Sequence, residues 1–257
     1  MKKRFLGNTK IEVSEVAFGG VEIGMPYGIG VSSKEDMLTE LEAIELLHKA
    51  LDNGINFFDT ARMYGESEKI MGKAFKDRRD KVVIATKCKH LLDADGNLPD
   101  DQVLTAKIKN SLYESLKTLQ TDYVDIFMLH QANQKILENE AIITVFSKLK
   151  EQGLYRAMGV STYTTNETRL ALDNGHWNLI QLPFNMMDQR QGDLFEDAYK
   201  KGVGLVVRSV LLKGLLSDRG KNLHPALKDV EDHIAKYQVL LDETNLKMPA
   251  LATKFAL

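Results

Sequence analysis

The fold is decided by the stretch Asn56-Phe57-Phe58-Asp59-Thr60-Ala61-Arg62-Met63-Tyr64-Gly65. The apolar run over residues 55–58 begins after Gly54 and ends at a polar turn, which is typical of a short buried strand. Asp59 stands at the carboxyl end of this strand, and Tyr64 follows on the next loop. Either residue alone has an ordinary structural explanation, Asp59 as a helix cap and Tyr64 as a loop aromatic. The ends of the later strands decide between that explanation and a functional one.

Composition limits the classes of protein to which the chain can belong. Its 257 residues suffice for one large domain, and 44% hydrophobic residues provide for a core. Lys+Arg 34 against Asp+Glu 36 give a net charge of -2, which does not favour a nucleic-acid partner. No segment approaches the ~20 apolar residues of a membrane span, and no signal peptide is recognisable. The single cysteine, Cys88, is typical of a reducing compartment, so we predict a soluble, cytoplasmic protein without a membrane partner.

Strand and helix patterns alternate along the whole chain. A hairpin is predicted first, from residues 3–5 and 11–13. The main sheet is predicted to contain seven strands, over residues 16–18, 55–58, 82–86, 124–129, 157–160, 179–182 and 205–207. Helices are predicted over residues 41–53, 66–75, 106–119, 141–151, 165–174, 194–201 and 249–257. No linker of biased composition divides the chain, so we predict one parallel-sheet domain over residues 1–257.

A doubly wound sheet and a closed barrel both fit this alternation, and they differ in where reactive residues collect. In the doubly wound fold a G-x-G-x-x-G loop after the first strand opens a helix. Here Gly19-Gly20 opens a long stretch, residues 21–40, that lacks helical periodicity. In a barrel, reactive residues follow the carboxyl ends of many strands. Such residues end or follow six strands: Asp59, Lys87, His130, Ser161, Gln181 and Arg208-Ser209. The sequence therefore predicts a (β/α)8 TIM-type barrel.

Each of these residues, taken alone, also has a purely structural explanation. A lysine at a strand end is usually a solvated charge, and Ser161 precedes a predicted helix that it could cap. Gln181 is harder to explain in this way, because a buried amide needs hydrogen-bond partners. An Asp, a Tyr, a Lys and a His that converge on one rim outweigh the separate explanations. His90 and His130 lack further ligands, so no metal site is predicted.

The chain resembles the aldo-keto reductase family in four stretches that occur in the family's order. These are Phe58-Asp59-Thr60-Ala61-Arg62-Met63-Tyr64-Gly65, Ala85-Thr86-Lys87, Asp125-Ile126-Phe127-Met128-Leu129-His130 and Gly159-Val160-Ser161. The resemblance covers essentially the whole chain. It implies a (β/α)8 barrel and NAD(P)H-dependent interconversion of carbonyls and alcohols, with NADP as the expected cofactor and NAD as the alternative. It also implies a catalytic tetrad of Asp59, Tyr64, Lys87 and His130.

The same resemblance implies the residues that contact the cofactor. They are Gly20, Ser161, Gln181, Phe184, Arg208, Ser209 and Leu211. Ser161 and Gln181 would hold the nicotinamide carboxamide, and Phe184 would stack on the nicotinamide ring, where the family more often has Tyr. Ser209 and its neighbours, with Leu211, would line the path of the pyrophosphate.

The chemistry of these residue types fits the implied reaction. Hydride delivery to a carbonyl builds negative charge on its oxygen, which a proton donor such as Tyr64 must neutralise. A free tyrosine has a pKa near ~10, and Lys87 is expected to lower it. Asp59 is expected to keep Lys87 charged, and His130 to orient a small-molecule carbonyl or alcohol. The alternative function is a cofactor-binding regulatory module with little turnover.

The sequence reaches Leu257 inside its last predicted helix, before the family's eighth strand and helix. Unpaired edges of a parallel sheet are unfavourable, so we expect the polypeptide to continue beyond these residues. We also expect the first and seventh strands to lie side by side with a one-strand gap. The basic residues that meet an adenosine 2′-phosphate in the family would lie in the absent part, and the sequence leaves NADP or NAD, the substrate and the oligomeric state open.

Overall fold

The computed structural model describes all residues from Met1 to Leu257, and its main sheet has seven parallel strands in chain order. The strands are β1 Lys3–Phe5, β2 Glu12–Ser14, β3 Phe18–Gly19, β4 Phe57–Asp59, β5 Val83–Lys87, β6 Val124–Leu129, β7 Tyr155–Ser161, β8 Leu179–Pro183 and β9 Gly204–Arg208. The helices are α1 Val21–Gly24, α2 Glu40–Asp52, α3 Ser67–Phe75, α4 Asp101–Leu119, α5 Gln134–Leu137, α6 Glu140–Glu151, α7 Thr165–Asp173, α8 Phe195–Lys200, α9 Lys228–Ala235, α10 Gln238–Thr244 and α11 Met248–Ala256. β1 and β2 form a separate antiparallel hairpin. All eight segments predicted as strands after residue 10 are confirmed, residues 124–129 with the predicted ends and the other seven with shifted ends.

Alternate side chains of the parallel strands supply two apolar layers. Ala85 and Ile126 belong to an inner layer together with Leu6, Ile11 and Val13 of the N-terminal hairpin region. The residues between them on the strands, such as Ile84 and Phe127, pack into a larger outer layer with the helices. A strand turns successive side chains to opposite faces, which is why the apolar strands can serve both layers. The predicted α/β class is confirmed, and the curled sheet is of the TIM-barrel type.

Side-chain caps set where several helices begin. Asp100 accepts hydrogen bonds from the backbone N–H groups of Gln102 and Val103, at 3.0 and 2.9 Å, and α4 therefore begins five residues before the predicted start. Thr164 and Glu167 form a reciprocal capping box at the start of α7. The cap of α7 is thus Thr164, and Ser161 is left without the capping role that was its structural explanation.

Two regions hold helices that periodicity did not predict. The stretch 21–40, predicted to be a loop, contains the single-turn helix α1. Helices α9 and α10 also lie in a stretch without a prediction, and Ile234 is their one buried residue. Ile234 packs with Met186, Leu216 and Ala252 in a small separate cluster. A helix that buries so few side chains leaves a weak apolar pattern in the sequence. None of the helices combines the length and apolar character needed to cross a membrane.

The two edges of the sheet, β3 and β9, do not pair with each other, as expected. A groove of about 810 Å³ lies beside them, lined by residues of the N-terminal hairpin, β9 and α11. At the carboxyl end of the sheet, the loops that follow the two edge strands meet. The backbone N–H of Ile29 donates to the carbonyl of Lys213 at 2.9 Å, and Arg219 donates to the carbonyl of Ile29 at 3.1 Å.

A buried carboxylate ties three central strands together. Asp125 of β6 accepts hydrogen bonds from the backbone N–H of Ile84 in β5 at 2.9 Å and from Arg156 in β7 at 2.7 Å. It also accepts one from Arg79 at 2.8 Å, and its side chain is only 1% exposed. Because β5 to β7 carry much of the apolar core, this carboxylate supports the centre of the sheet.

Substitution of Asp125 by Ala is expected to lower the free energy of unfolding by about 3–5 kcal/mol, because it leaves Arg79 without its buried partner. Urea denaturation followed by circular dichroism measures this change. The control is Asp173→Ala, which removes an exposed pair with Lys201 and should change stability far less. Equal effects of the two substitutions would contradict the proposed importance of Asp125.

Candidate active site

Strand register brings the predicted reactive residues to one rim. Asp59 and Lys87 are the last residues of β4 and β5, His130 follows β6, and Ser161 ends β7. Paired residues of neighbouring strands align these ends, with Gly19 opposite Asp59 and Ser161 opposite Gln181. Their side chains also fall on one face, because they continue the alternation of the inner layer. The following residues share that face: Asp59, Lys87, His130, Ser161, Gln181 and Arg208.

A buried ion pair forms the centre of this rim. The Lys87 Nζ lies 2.7 Å from both carboxylate oxygens of Asp59 and 3.1 Å from the carbonyl oxygen of Thr60. Lys87 is fully buried, so its ammonium group depends on these partners for stabilisation. Gln181 donates from Nε2 to Asp59 Oδ1 at 3.0 Å, which adds a third strand to the arrangement. The structure gives the Oε1 atom of Gln181 no partner.

Tyr64 lies beside this pair on a loop that two glycines hold in place. A Cβ atom on Gly24 would lie 1.9 Å from the Tyr64 carbonyl oxygen, and one on Gly65 would lie 2.2 Å from the Gly24 carbonyl oxygen. The loop can therefore approach α1 this closely only with glycine at both positions. The Tyr64 ring lies 4.9 Å from Lys87 Nζ and 5.3 Å, edge-on, from the His130 ring. The Tyr64 hydroxyl makes no hydrogen bond within the protein.

The electrostatics of Tyr64 differ from the expectation. Burial raises the pKa of Tyr64, the charge of Asp59 raises it further, and the charge of Arg208 lowers it. On balance the pKa of Tyr64 is raised and not lowered as predicted, because burial outweighs the Lys87 ammonium, which Asp59 matches. A raised pKa keeps the Tyr64 hydroxyl protonated at neutral pH.

His130 is held neutral. Burial lowers the pKa of His130 to about 3, and the charges of Lys87, His90 and Arg208 act in the same direction. Its Nδ1 atom is buried without a hydrogen-bond partner. The exposed His90 contacts it edge-on, with 5.1 Å between the ring centroids. A neutral imidazole can donate one hydrogen bond to a ligand without bringing a second charge to the site.

Sequence reasoning missed a second buried carboxylate that supports the site. Glu68 of α3 accepts a hydrogen bond of 2.6 Å from Thr86, the neighbour of Lys87, and forms a short ion pair with Arg62. It thereby joins the loop of Tyr64 to the strand of Lys87. The signal was present, since Glu68 shares one helix face with Met71 and Phe75 at spacings of three and seven residues. An acidic residue on an apolar helix face predicts a buried partner.

The structure places the predicted cofactor residues in different environments, some buried and some exposed. Ser161 at the end of β7 and Gln181 opposite it on β8 are buried. Ser209 follows β9 in a left-handed backbone conformation, with φ 61°. Leu211 is 37% exposed. The backbone N–H of Gly20 donates to the Asp59 carbonyl oxygen at 2.8 Å, and a Cβ there would lie 2.6 Å from Ser67 Oγ. Close packing therefore accounts for a glycine at this position.

Phe184 is not brought to this group. It continues the alternation of Ile180 and Leu182 and so lies on the outer face of the sheet. Its ring packs against Phe195 at 4.8 Å and lies nearly parallel to the ring of Phe255 at 5.5 Å. The expected stacking on a nicotinamide ring needs a ring face that is open to the inner rim, and Phe184 does not offer one.

The polar side chains on and after β7, β8 and β9 fit a dinucleotide better than a metal ion. A hydroxyl, an amide, a guanidinium and a second hydroxyl lie on or directly after three adjacent strands: Ser161, Gln181, Arg208 and Ser209. Such groups suit a carboxamide and phosphate oxygens. No group of three or more histidine, cysteine, aspartate or glutamate side chains is close enough to hold a metal ion.

Comparison with known proteins decides the family. The aldo/keto reductase family matches residues 16–257. The chain belongs to this family. An aldo/keto reductase is an oxidoreductase that uses a nicotinamide cofactor on carbonyl compounds, and the residue set on the rim lies where the barrel fold places its active sites.

Individual relatives align over most of the chain. The L-galactose dehydrogenase of Arabidopsis thaliana is 30% identical over 275 residues, covering 99% of this chain and 79% of that protein. The NADH-specific methylglyoxal reductase of Escherichia coli (strain K12) is 31% identical over 234 residues, covering 84% of this chain and 69% of that protein. The holo structure of an aldo-keto reductase from Bacillus halodurans matches with a TM-score of 0.79 and 29% identity, covering 99% of this chain and 82% of that one.

The histidine environment gives a prediction for pH dependence. The folded pKa of His130, about 3, lies below the value near ~6.5 of an unfolded histidine, so the unfolded state takes up a proton first as the pH falls. Stability is therefore expected to decrease between those two pH values, and less so in His130→Gln. Urea denaturation at several pH values measures this difference. Protonation of His130 near pH 6 in the native protein, seen by NMR, would contradict the prediction.

Proposed function

We propose that the protein reduces aldehydes or ketones with NADPH, or with NADH, and catalyses the reverse oxidation of alcohols or sugars, with Tyr64 as the general acid. The observation that carries this proposal is the hydroxyl of Tyr64, which has no partner in the protein and stands beside His130 and the buried Lys87–Asp59 pair. A phenol that is held in place and has no partner in the protein is available to a ligand.

Tyr64 and His130 have distinct tasks in this proposal. Negative charge develops on the carbonyl oxygen during reduction, and donors fixed at that oxygen stabilise it. The neutral His130 would donate a hydrogen bond that orients the oxygen, and Tyr64 would transfer its proton to it. The phenol carries this proton at neutral pH, although its raised pKa makes it a weaker acid than a free tyrosine.

Lys87 and Asp59 position Tyr64 and balance its surroundings. The ammonium group of Lys87 lies 4.9 Å from the Tyr64 ring, while both oxygens of Asp59 face the ammonium. Without Lys87, the negative charge of Asp59 would act unopposed on the phenolate that forms when the proton leaves. We therefore assign Lys87 to compensating Asp59, and Asp59 to holding Lys87 in place.

The proposed cofactor contacts are those of the inner rim. The Oε1 of Gln181, which has no partner, and the Ser161 hydroxyl would hold a carboxamide, while Arg208, Ser209 and Leu211 would lie along the dinucleotide, with Gly20 at the opposite edge. When bound, the dinucleotide would supply the hydride. NADP is the expected form. The relative that is named an NADH-specific methylglyoxal reductase supports NAD as the alternative.

The alternative, a cofactor-binding regulatory module, is less favoured. Binding alone requires neither the fixed Tyr64 nor a neutral His130 beside it, and both are present. We further propose that residues 1–257 act as one unit on small-molecule carbonyls. A cytoplasmic location stays a prediction from the cysteine content.

Substitution of Tyr64 by Phe is expected to lower turnover by about 10²–10³-fold, the usual cost of losing one donor to a developing oxyanion. Affinity for NADPH should stay nearly unchanged, because the phenyl ring keeps the packing against His130. Oxidation of NADPH and NADH with a panel of aldehydes, ketones and sugars measures turnover, and fluorescence titration measures affinity. A variant with wild-type turnover would refute the role of Tyr64.

Substitution of Lys87 by Met is expected to move the pH optimum of alcohol oxidation upward. The methionine fills a similar volume but leaves Asp59 uncompensated, which raises the pKa of Tyr64 further, so the phenolate forms only at higher pH. The control is Lys89→Met, which removes a half-buried lysine that pairs with Glu114 and not with Asp59. The pH–rate profiles of both variants are compared after circular dichroism has shown that they fold. An unshifted profile for Lys87→Met would count against the assigned compensation.

A further inference from the structure

Glu68 is a buried charged residue whose presence stability alone does not explain. Its side chain is 1% exposed and lies on the buried face of α3, which also carries Met71 and Phe75 of the outer apolar layer. Taking a carboxylate out of water is costly, and apolar residues that replace a buried ion pair often leave a protein equally stable or more stable. A carboxylate at this position therefore needs a reason other than stability.

Both carboxylate oxygens of Glu68 are used inside the protein, and they reach two different segments. Oε1 accepts a hydrogen bond of 2.6 Å from Thr86 Oγ1, and Thr86 directly precedes Lys87 on β5. Oε2 forms the short ion pair with Arg62, which stands two residues before Tyr64. The carboxylate is thus a link between the strand of the lysine and the loop of the tyrosine.

The loop of Tyr64 is joined to β5 twice. The backbone N–H of Arg62 donates to the Lys87 carbonyl oxygen at 3.1 Å, which continues the pairing of β4 with β5 beyond the last residue of β4. The Arg62 side chain reaches Glu68, which is bound in turn to the residue before Lys87. One connection uses the backbone and the other uses side chains, so together they fix both the height and the tilt of the loop.

The backbone of Tyr64 is also anchored to the start of α3. The N–H of Ser67, the first residue of this helix, donates to the Tyr64 carbonyl oxygen at 3.0 Å. The Ser67 hydroxyl accepts a buried hydrogen bond of 2.9 Å from Thr60 at the other end of the loop. Glu68 is the next residue of the helix, and it holds this first turn against β5. The position of Tyr64 relative to Lys87 therefore depends on Glu68.

We propose that Glu68 is a positioning residue of the reaction, which sets the distance between Tyr64 and Lys87 by holding Arg62 and Thr86. This inference rests on the proposed role of Tyr64 as the general acid. The Tyr64 hydroxyl makes no hydrogen bond within the protein, so the loop and the ring contacts determine where the hydroxyl lies. Displacement of a reacting group by about 1 Å can lower the rate by about 10²-fold.

The decisive variant replaces the polar link by apolar side chains. It combines Arg62→Met, Glu68→Leu and Thr86→Val, which removes the three polar partners together. Glu68→Gln is the isosteric single substitution, which removes the charge that pairs with Arg62 and keeps an acceptor for Thr86. The matched control is Glu114→Gln, because the half-buried Glu114 accepts from the other terminal nitrogen of Arg62 at 3.1 Å and does not contact β5.

Four quantities are measured for each variant. Reduction of the aldehyde that the wild-type protein turns over best gives kcat and KM, and fluorescence titration gives the affinity for the cofactor. Urea denaturation gives the free energy of unfolding. The surroundings of Tyr64 are followed without any ligand by ¹⁹F NMR of protein labelled with 3-fluorotyrosine, in which the Tyr64 signal is the one absent from Tyr64→Phe. The exposed Tyr199 provides a reference signal.

Glu68→Gln and the triple variant are expected to lower kcat and kcat/KM by the same factor, about 10- to 100-fold, with KM and cofactor affinity near the wild-type values. The Tyr64 signal should shift or broaden in both, while the Tyr199 signal stays unchanged. Glu114→Gln should keep both the turnover and the Tyr64 signal. A purely structural role predicts a different result, since a stable triple variant would then keep its turnover.

Wild-type kcat in the folded triple variant or in Glu68→Gln would overturn the proposal, and so would a Tyr64 signal that neither changes. A loss of cofactor affinity as large as the loss of kcat would also overturn it, since Glu68 would then support the site as a whole. If the triple variant does not fold, Glu68→Gln decides by the same criteria. Failure of the reductase function is distinguishable, because the wild-type protein would then reduce no carbonyl, and the ¹⁹F signals would still decide whether Glu68 positions Tyr64.

Discussion

The arrangement of the site depends on the burial of one ammonium group. Lys87 has no exposed surface, and an isolated charge there would be strongly unfavourable. Burial lowers the pKa of Lys87, and the carboxylate of Asp59 opposes that effect. In the parallel register of β4 and β5, Asp59 stands opposite Ala85, two residues before Lys87 on the same face, and the lysine side chain reaches the carboxylate from there. Gln181 then fixes Asp59 from the far side of the sheet. One ion pair thus links strands that are distant in sequence.

The charges around Tyr64 do not cancel. Lys87 and Arg208 are cations and Asp59 is an anion, so the group carries an excess of positive charge where an oxyanion would form. The excess comes from Arg208, because Lys87 is matched by Asp59. In the proposed function Lys87 compensates Asp59, while the charge of Arg208 lowers the pKa of Tyr64 against the burial that raises it.

The sequence predicts those parts of the fold in which a local pattern determines the result. Short apolar strands with polar residues at their carboxyl ends identify the sheet, its parallel class and the group of Asp59, Lys87 and His130. The pattern fails where tertiary contacts decide, as for α9 and α10, whose few buried side chains pack on distant segments. Phe184 was assigned to the nicotinamide ring because of the family resemblance. Its alternation with Ile180 and Leu182 instead predicts the outer face of the sheet, where it is found. Whether Arg208 has a carboxylate partner depends on which acidic residues the fold brings near it, and no local sequence pattern predicts that.

Some residues of the site lie on central strands of the sheet, and others lie on an edge strand. Asp59, Lys87 and His130 end or follow β4, β5 and β6, which have a paired neighbour on both sides, and Asp125 adds further bonds among β5, β6 and β7. Arg208 belongs to β9, an edge strand that pairs only with β8. Its orientation therefore relies on Tyr163 and Thr162, which reach it from the loop after β7. The buried ion pair and His130 are thus built into the centre of the sheet, and the Arg208 guanidinium is held at its edge by contacts from another loop.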